Sequence, residues 1–136
     1  MRRLPLLFAI VLAFGLAACD EAPTTTTPTS DPTKDIFSDV LEPNGARTHP
    51  FTTARSGDVI ATLTALDPDA TVVIGVALGT LSGSGTCQIL LSRDAATVNS
   101  VVTGAVTSAT SLCLRVYDAA GALTAPTTYT VQVLHP

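Results

Sequence analysis

Three cysteines, two histidines and a scatter of carboxylates are the side chains of this 136-residue sequence that could do chemistry. Hydrolysis needs a general base beside a nucleophile, and His49 and His135 are the only histidines. His135 is penultimate, where chains are usually loose. His49 precedes Pro50 at the start of an expected strand. No G-x-S-x-G elbow occurs. Both histidines are expected at the surface or at a strand edge, no catalytic residue is assigned, and an enzyme is not expected.

Calcium needs six to eight oxygen ligands. Asp35, Asp39 and Glu42 lie just ahead of the expected domain, and Asp58, Asp67 and Asp69 fall in expected turns. These six are the calcium candidates. Asp also favours turns for its own hydrogen bonding, and Asp67-Pro68-Asp69 is good turn chemistry without a metal. No resident cofactor is therefore expected. The Gly-rich stretch 79–85 lacks the Lys and the following helix of a phosphate cradle. It reads as a flexible hairpin loop at the rim of the domain.

The elements that must carry these residues begin with an export signal. Arg2 and Arg3 precede an almost wholly apolar run over residues 4–16, then Ala17, Ala18 and Cys19. That is the layout of a secretory signal peptide, too short for a comfortable membrane span. Leu16-Ala17-Ala18-Cys19 resembles the lipobox of bacterial lipoproteins. The resemblance implies cleavage after residue 18, a diacylglycerol thioether on Cys19 and an acylated new amino terminus, and two or more acyl chains anchor stably. Asp20 resembles the inner-membrane retention signal of enteric bacteria, and the choice of membrane stays open. Localisation is expected at the cell envelope, facing the periplasm or the exterior.

Residues 20–34, rich in Thr and Pro, cannot bury a core. Residues 19–34 form an expected tether, spanning roughly 20 Å as a coil or about 45 Å as extended polyproline. From residue 35 to 136 the composition changes. Residues 128–134 alternate, with Tyr129, Val131 and Val133 on one face. Residues 111–117 put Leu112, Leu114 and Val116 on one face, and a turn over residues 118–121 suggests that these two strands are neighbours. Further strands are expected at 49–54, 58–66, 71–78, 88–92 and within 96–106. Short strands at this spacing predict an all-β fold, a small antiparallel sandwich of about 6–8 strands.

Export places Cys87 and Cys113 in an oxidising compartment, so a disulfide between them is expected. It would close a loop of about 27 residues and stabilise by roughly 3.5 kcal/mol in the chain-entropy model.

The stretch Leu112-Cys113-Leu114-Arg115-Val116-Tyr117-Asp118, Gly121, and Tyr129-Thr130-Val131-Gln132-Val133 resembles the bacterial pre-peptidase C-terminal domain. Phe51-Thr52, Ser56-Gly57-Asp58-Val59 and residues 67–78 extend the resemblance over most of 51–134. It implies a jelly-roll-like sandwich of a family that accompanies exported enzymes, some members binding matrix proteins, polysaccharide or calcium. Here such a domain follows a lipid anchor instead of a protease.

Without Arg2 and Arg3, five cations face 11 carboxylates, a net charge of −6. That balance excludes nucleic acid and electrostatic docking on anionic lipid. With no Trp, and Phe37, Phe51, Tyr117 and Tyr129 as the only aromatics after the signal, sugar-stacking platforms are scarce. The expected function is a non-catalytic, membrane-anchored β-sandwich that binds another envelope component, a protein ahead of a glycan. The alternatives are a calcium-dependent structural or adhesive module, then a hydrolase.

Overall fold

A computed structural model describes residues 30–136. The expected signal peptide, Cys19 and most of the expected tether lie outside the described residues. Eight strands make up the fold, with no helix among the described residues: β1 (Thr33–Leu41), β2 (Ala46–Thr53), β3 (Gly57–Asp67), β4 (Ile74–Leu81), β5 (Cys87–Ala96), β6 (Val101–Val106), β7 (Thr110–Tyr117) and β8 (Thr127–His135). They form two four-stranded antiparallel sheets, ordered β1-β8-β3-β6 and β2-β7-β4-β5. The protein is a β-sandwich, as the strand spacing predicts.

Alternation of apolar residues builds the core. Tyr129, Val131 and Val133 of β8 meet Leu112, Leu114 and Val116 of β7 across the gap between the sheets, all buried. Strand β3 buries Val59, Ala61 and Leu63, then changes phase and buries Leu66. A bulge between Leu63 and Ala65 causes the switch, because one extra residue sends every later side chain to the other face. Thr64, the extra residue, donates its hydroxyl to the Thr130 carbonyl at 3.1 Å. Strand β4 is buried on both faces, with Ile74, Val76 and Leu78 inward and Gly75, Ala77 and Gly79 outward. The small outer residues let neighbours lie flat on it: the Tyr117 ring covers Gly75, and the backbone of β5 at Gln88 approaches Gly79 too closely for any Cβ.

Three expectations need correction. First, the chain from Thr33 is a strand, so Asp35 and Asp39 sit on β1, within the sandwich, and the expected tether boundary at residue 34 falls two residues too late. The polar composition hid it: β1 is a sheet edge whose outward side faces solvent, and Phe37 and Leu41 face the core. Second, β7 and β8 are not paired; they lie in opposite sheets. The Asp118 carboxylate accepts the backbone N–H groups of Asn44, Ala122 and Leu123. It thereby ties the β7–β8 crossover to the β1–β2 crossover, and buried Leu123 plugs that end of the core. The backbone donors hold its carboxyl below the usual range, although partial desolvation pushes the other way. Third, the C-terminus is not loose. Central strand β8 runs to His135, which is buried, and the Pro136 carbonyl accepts the Ala54 N–H at 3.0 Å.

Candidate functional site

Cys87 and Cys113 form a disulfide with Cα atoms 5.8 Å apart. Cys87 opens β5 and Cys113 lies on β7, while β4 runs between those strands. The bond therefore ties the edge strand across its neighbour to a strand in the middle of the sheet.

The calcium candidates are not gathered in one place. Asp35 meets His135, Asp39 pairs with Arg47 at 3.3 Å, and Asp69 caps its own turn by accepting the Thr71 N–H at 2.8 Å. The Thr71 hydroxyl and N–H hold the Asp69 carboxyl below its usual range. Glu42 accepts the Gly45 N–H through its carbonyl, Asp58 is on β3 and Asp67 ends it. Among the described residues, no group of three or more His, Cys, Asp or Glu side chains could hold a metal ion. Of the Gly-rich stretch, residues 79–81 are strand, and Ser82 to Thr86 close a hairpin on themselves: the Ser82 N–H donates to the Thr86 carbonyl, and the Gly85 N–H to the Ser82 carbonyl, each at 2.9 Å.

Both histidines belong to one aromatic cluster on the side of the sandwich where β1 faces β2. Phe37 stacks on His49 with ring centroids 5.0 Å apart, Phe51 lies 5.3 Å from His135, and His49 meets the edge of Tyr129. His49 Nε2 and the Tyr129 hydroxyl are 2.6 Å apart, and His135 Nε2 is 3.1 Å from an Asp35 oxygen. Burial lowers the His49 pKa; Asp39 opposes the shift and Arg47 adds to it. Burial likewise raises the Tyr129 phenol above its ordinary range. His49 lies on edge strand β2, as expected, and is half-buried there; His135, expected at the surface or an edge, is instead buried on the inner strand β8. Their rings, with two Phe and a Tyr, seal the β1–β2 side.

The opposite side, where β5 faces β6, is open. A cleft of about 250 Å³ lies between the sheets, lined by Leu78, Leu90, Leu91, Val106 and Leu112, with Thr107 and Ser108 at its lip. No lining residue is charged. Leu91 lies across from buried Leu78 and reaches toward Gly104 of β6. Leu90 is a bulge residue, since Leu78 pairs with Leu91 and Gly79 with Ile89. The bulge turns both leucines to the cleft and Ile89 to the outer face. Leu90 is 68% exposed, and Ile89 and Leu91 are each more than 40% exposed. These are three consecutive exposed apolar residues on an edge strand; Ile36 and Val40 of β1 and Val101 of β6 are exposed as well. The signal was present in the sequence: three adjacent apolar residues break the alternation of a half-buried strand.

Tyr117 is half-buried over Gly75 and donates its hydroxyl to Asp94 of β5. Desolvation first, then Asp94, raises its pKa.

No family model matches the chain, and no curated protein does. Among solved structures, the Yersinia pseudotuberculosis-derived mitogen is similar, with a TM-score of 0.55 at 12% identity, over 77% of this chain and 87% of that one. At that identity the likeness concerns the fold alone.

Proposed function

We propose that the chain is a membrane-anchored lipoprotein of the cell envelope whose sandwich is a non-catalytic module for binding another envelope protein. One observation carries the reading: the open β5–β6 side, with its uncharged cleft and the exposed run Ile89, Leu90 and Leu91. Contiguous exposed apolar surface marks interaction sites in stable proteins. Leu90 and Leu91 share the cleft, and covering each contributes at most about 1.5–3 kcal/mol, enough for the centre of a binding face. The cleft is smaller than the roughly 300–1,000 Å³ typical of small-ligand pockets, which favours a macromolecular partner. The structural employment of His49 and His135 within the aromatic cluster supports a role without catalysis. The lipobox-like run at Cys19 supports anchoring, and the resemblance to the pre-peptidase C-terminal domain, some members of which bind matrix proteins or polysaccharide, supports binding.

Cross-linking in living cells tests it. The full chain and a Cys19→Ala chain are purified after cross-linking and their adducts compared. The reading expects one dominant protein adduct that depends on Cys19. Equal adducts with both chains, or none with either, would contradict it.

A further inference from the structure

The sequence holds two asparagines, and one of them, Asn44, precedes a glycine. That dipeptide carries its own chemistry. The backbone nitrogen of the following residue attacks the asparagine side-chain carbonyl carbon. The bond from that carbon to the amide nitrogen breaks, and ammonia leaves with the proton given up by the attacking nitrogen. A five-membered succinimide remains. Water then opens the ring at either carbonyl, giving aspartate or isoaspartate, whose main chain runs through the former side chain. Either product carries a carboxylate where the amide was neutral. Glycine favours the attack because no side chain crowds its nitrogen. The reaction needs water and no enzyme.

The fold opposes this reaction at Asn44. Asn44 and Gly45 lie in the turn between β1 and β2, with Asn44 at φ 56°, the left-handed region that Asn tolerates and most residues avoid. The attacking nitrogen is engaged, because the Gly45 N–H donates to the Glu42 carbonyl at 2.8 Å. One residue holds the peptide groups on both sides: the Asn44 N–H donates to the Asp118 carboxylate at 2.9 Å, and the Asp118 N–H donates to the Gly45 carbonyl at 3.0 Å. The Asn44 side chain lies over Gly121, its oxygen 2.8 Å from where a Cβ there would stand. Ring closure needs that side chain swung back onto the Gly45 nitrogen, and that nitrogen released from Glu42. Asp118 holds the turn against both movements. Asn99 also has a positive φ, 71°, but precedes Ser100, whose side chain hinders the same attack.

We propose that Asn44 is a deamidation site gated by Asp118. It reacts when the joint between the β1–β2 and β7–β8 crossovers opens, and the reaction then weakens that joint. Aspartate at position 44 places a second carboxylate beside Asp118, and like charges repel. Isoaspartate adds a methylene to the main chain of the turn, which displaces the groups that Asp118 bonds. Conversion is therefore an irreversible record of opening at the end of the core that Leu123 plugs.

The test incubates the full chain at mildly alkaline pH, folded and in denaturant. Peptide mass spectrometry follows amide loss at each asparagine, with aspartate and isoaspartate separated by chromatography. In the unfolded chain Asn44 should convert well ahead of Asn99. Folding should slow Asn44 by about tenfold or more, since reaction then waits on local opening. Asp118→Ala should speed Asn44 in the folded chain by about tenfold or more, the equivalent of lost hydrogen bonds to a charged group, and leave Asn99 unchanged. Asn44→Gly keeps access to positive φ and should show no conversion at that position. Converted protein should melt below unconverted protein. Equal rates at Asn44 in the folded and unfolded chains, no conversion there even when unfolded, or an unchanged rate in folded Asp118→Ala would each overturn the proposal. Should Asp118→Ala not fold, the native chain decides in urea below its unfolding transition. Conversion at Asn44 should rise in step with hydrogen exchange of the Gly45 amide, and conversion that rises without that exchange would overturn the gate.

Discussion

His49 sits between two demands. Its ring fills a space between Phe37 and Tyr129, and its Nε2 meets the Tyr129 hydroxyl, yet it titrates near neutral pH when unfolded. Burial lowers its pKa from 6.5, so below that pH the unfolded chain binds the proton more readily than the folded one. Its contribution to stability is therefore fully present above about pH 6.5 and declines as the pH falls below it. The groups around it are Asp39, Arg47 and Tyr129. The difference in melting temperature between the native chain and His49→Gln, measured from pH 7.5 to pH 5, isolates this effect from the Asp35–His135 pair. The native chain should lose more stability on acidification than the variant; equal slopes would show that His49 is not held neutral by burial. This coupling was not legible in the sequence. Ring stacking brings together Phe37 of β1, His49 of β2 and Tyr129 of β8, strands far apart in sequence, and nothing in the spacing of those residues encodes their meeting.

At the scale of strands, the sequence reveals what depends on alternation and hides what depends on crossing. Strands β7 and β8 read clearly because Leu112, Leu114, Val116 and Tyr129, Val131, Val133 repeat every second residue on one buried face. Their separation into two sheets does not, because alternation marks a strand's buried face and not its neighbour; β7 pairs with β2 and β4, and β8 with β1 and β3, while the Asp118 carboxylate ties the two crossovers at that end. Strand β1 was missed because an edge strand needs few apolar residues. Strand β4 reads as ending at Leu78 because Gly79 looks like loop, although it is a strand position that only Gly can fill. Gly79→Ala should therefore destabilise by about 2 kcal/mol or more through backbone displacement of β5. Gly83→Ala, at a position with open space around it, should shift stability by less than about 0.5 kcal/mol in chemical denaturation. Similar midpoints for the two would show that β4 and β5 adjust freely around position 79.

Across the whole molecule the two long sides differ in kind. The β1–β2 side is closed by aromatic rings and ends in charged or proline-bearing edges; the β5–β6 side is open, apolar and held by a disulfide. At the start of β1, Arg55 donates to the Ser30 carbonyl at 2.6 Å, which ties residue 30 to the turn between β2 and β3. Reducing the disulfide should cost about 3.5 kcal/mol by releasing a loop of roughly 27 residues in the unfolded state. It should also raise exchange along β5 more than along β1, which hydrogen exchange with and without a thiol reductant measures. A uniform rise would show that the bond stabilises the domain without ordering that edge.

The most direct test of the account is site-specific photocross-linking of the full chain in its native envelope, with the reactive group placed at Leu90 on β5 or at Ile36 on β1. Both positions are more than 60% exposed, so accessibility is matched. A discrete protein adduct from position 90, absent from position 36, is the predicted result. Adducts of the same kind from both positions, or from position 36 alone, would contradict the assignment of the open side as the binding face.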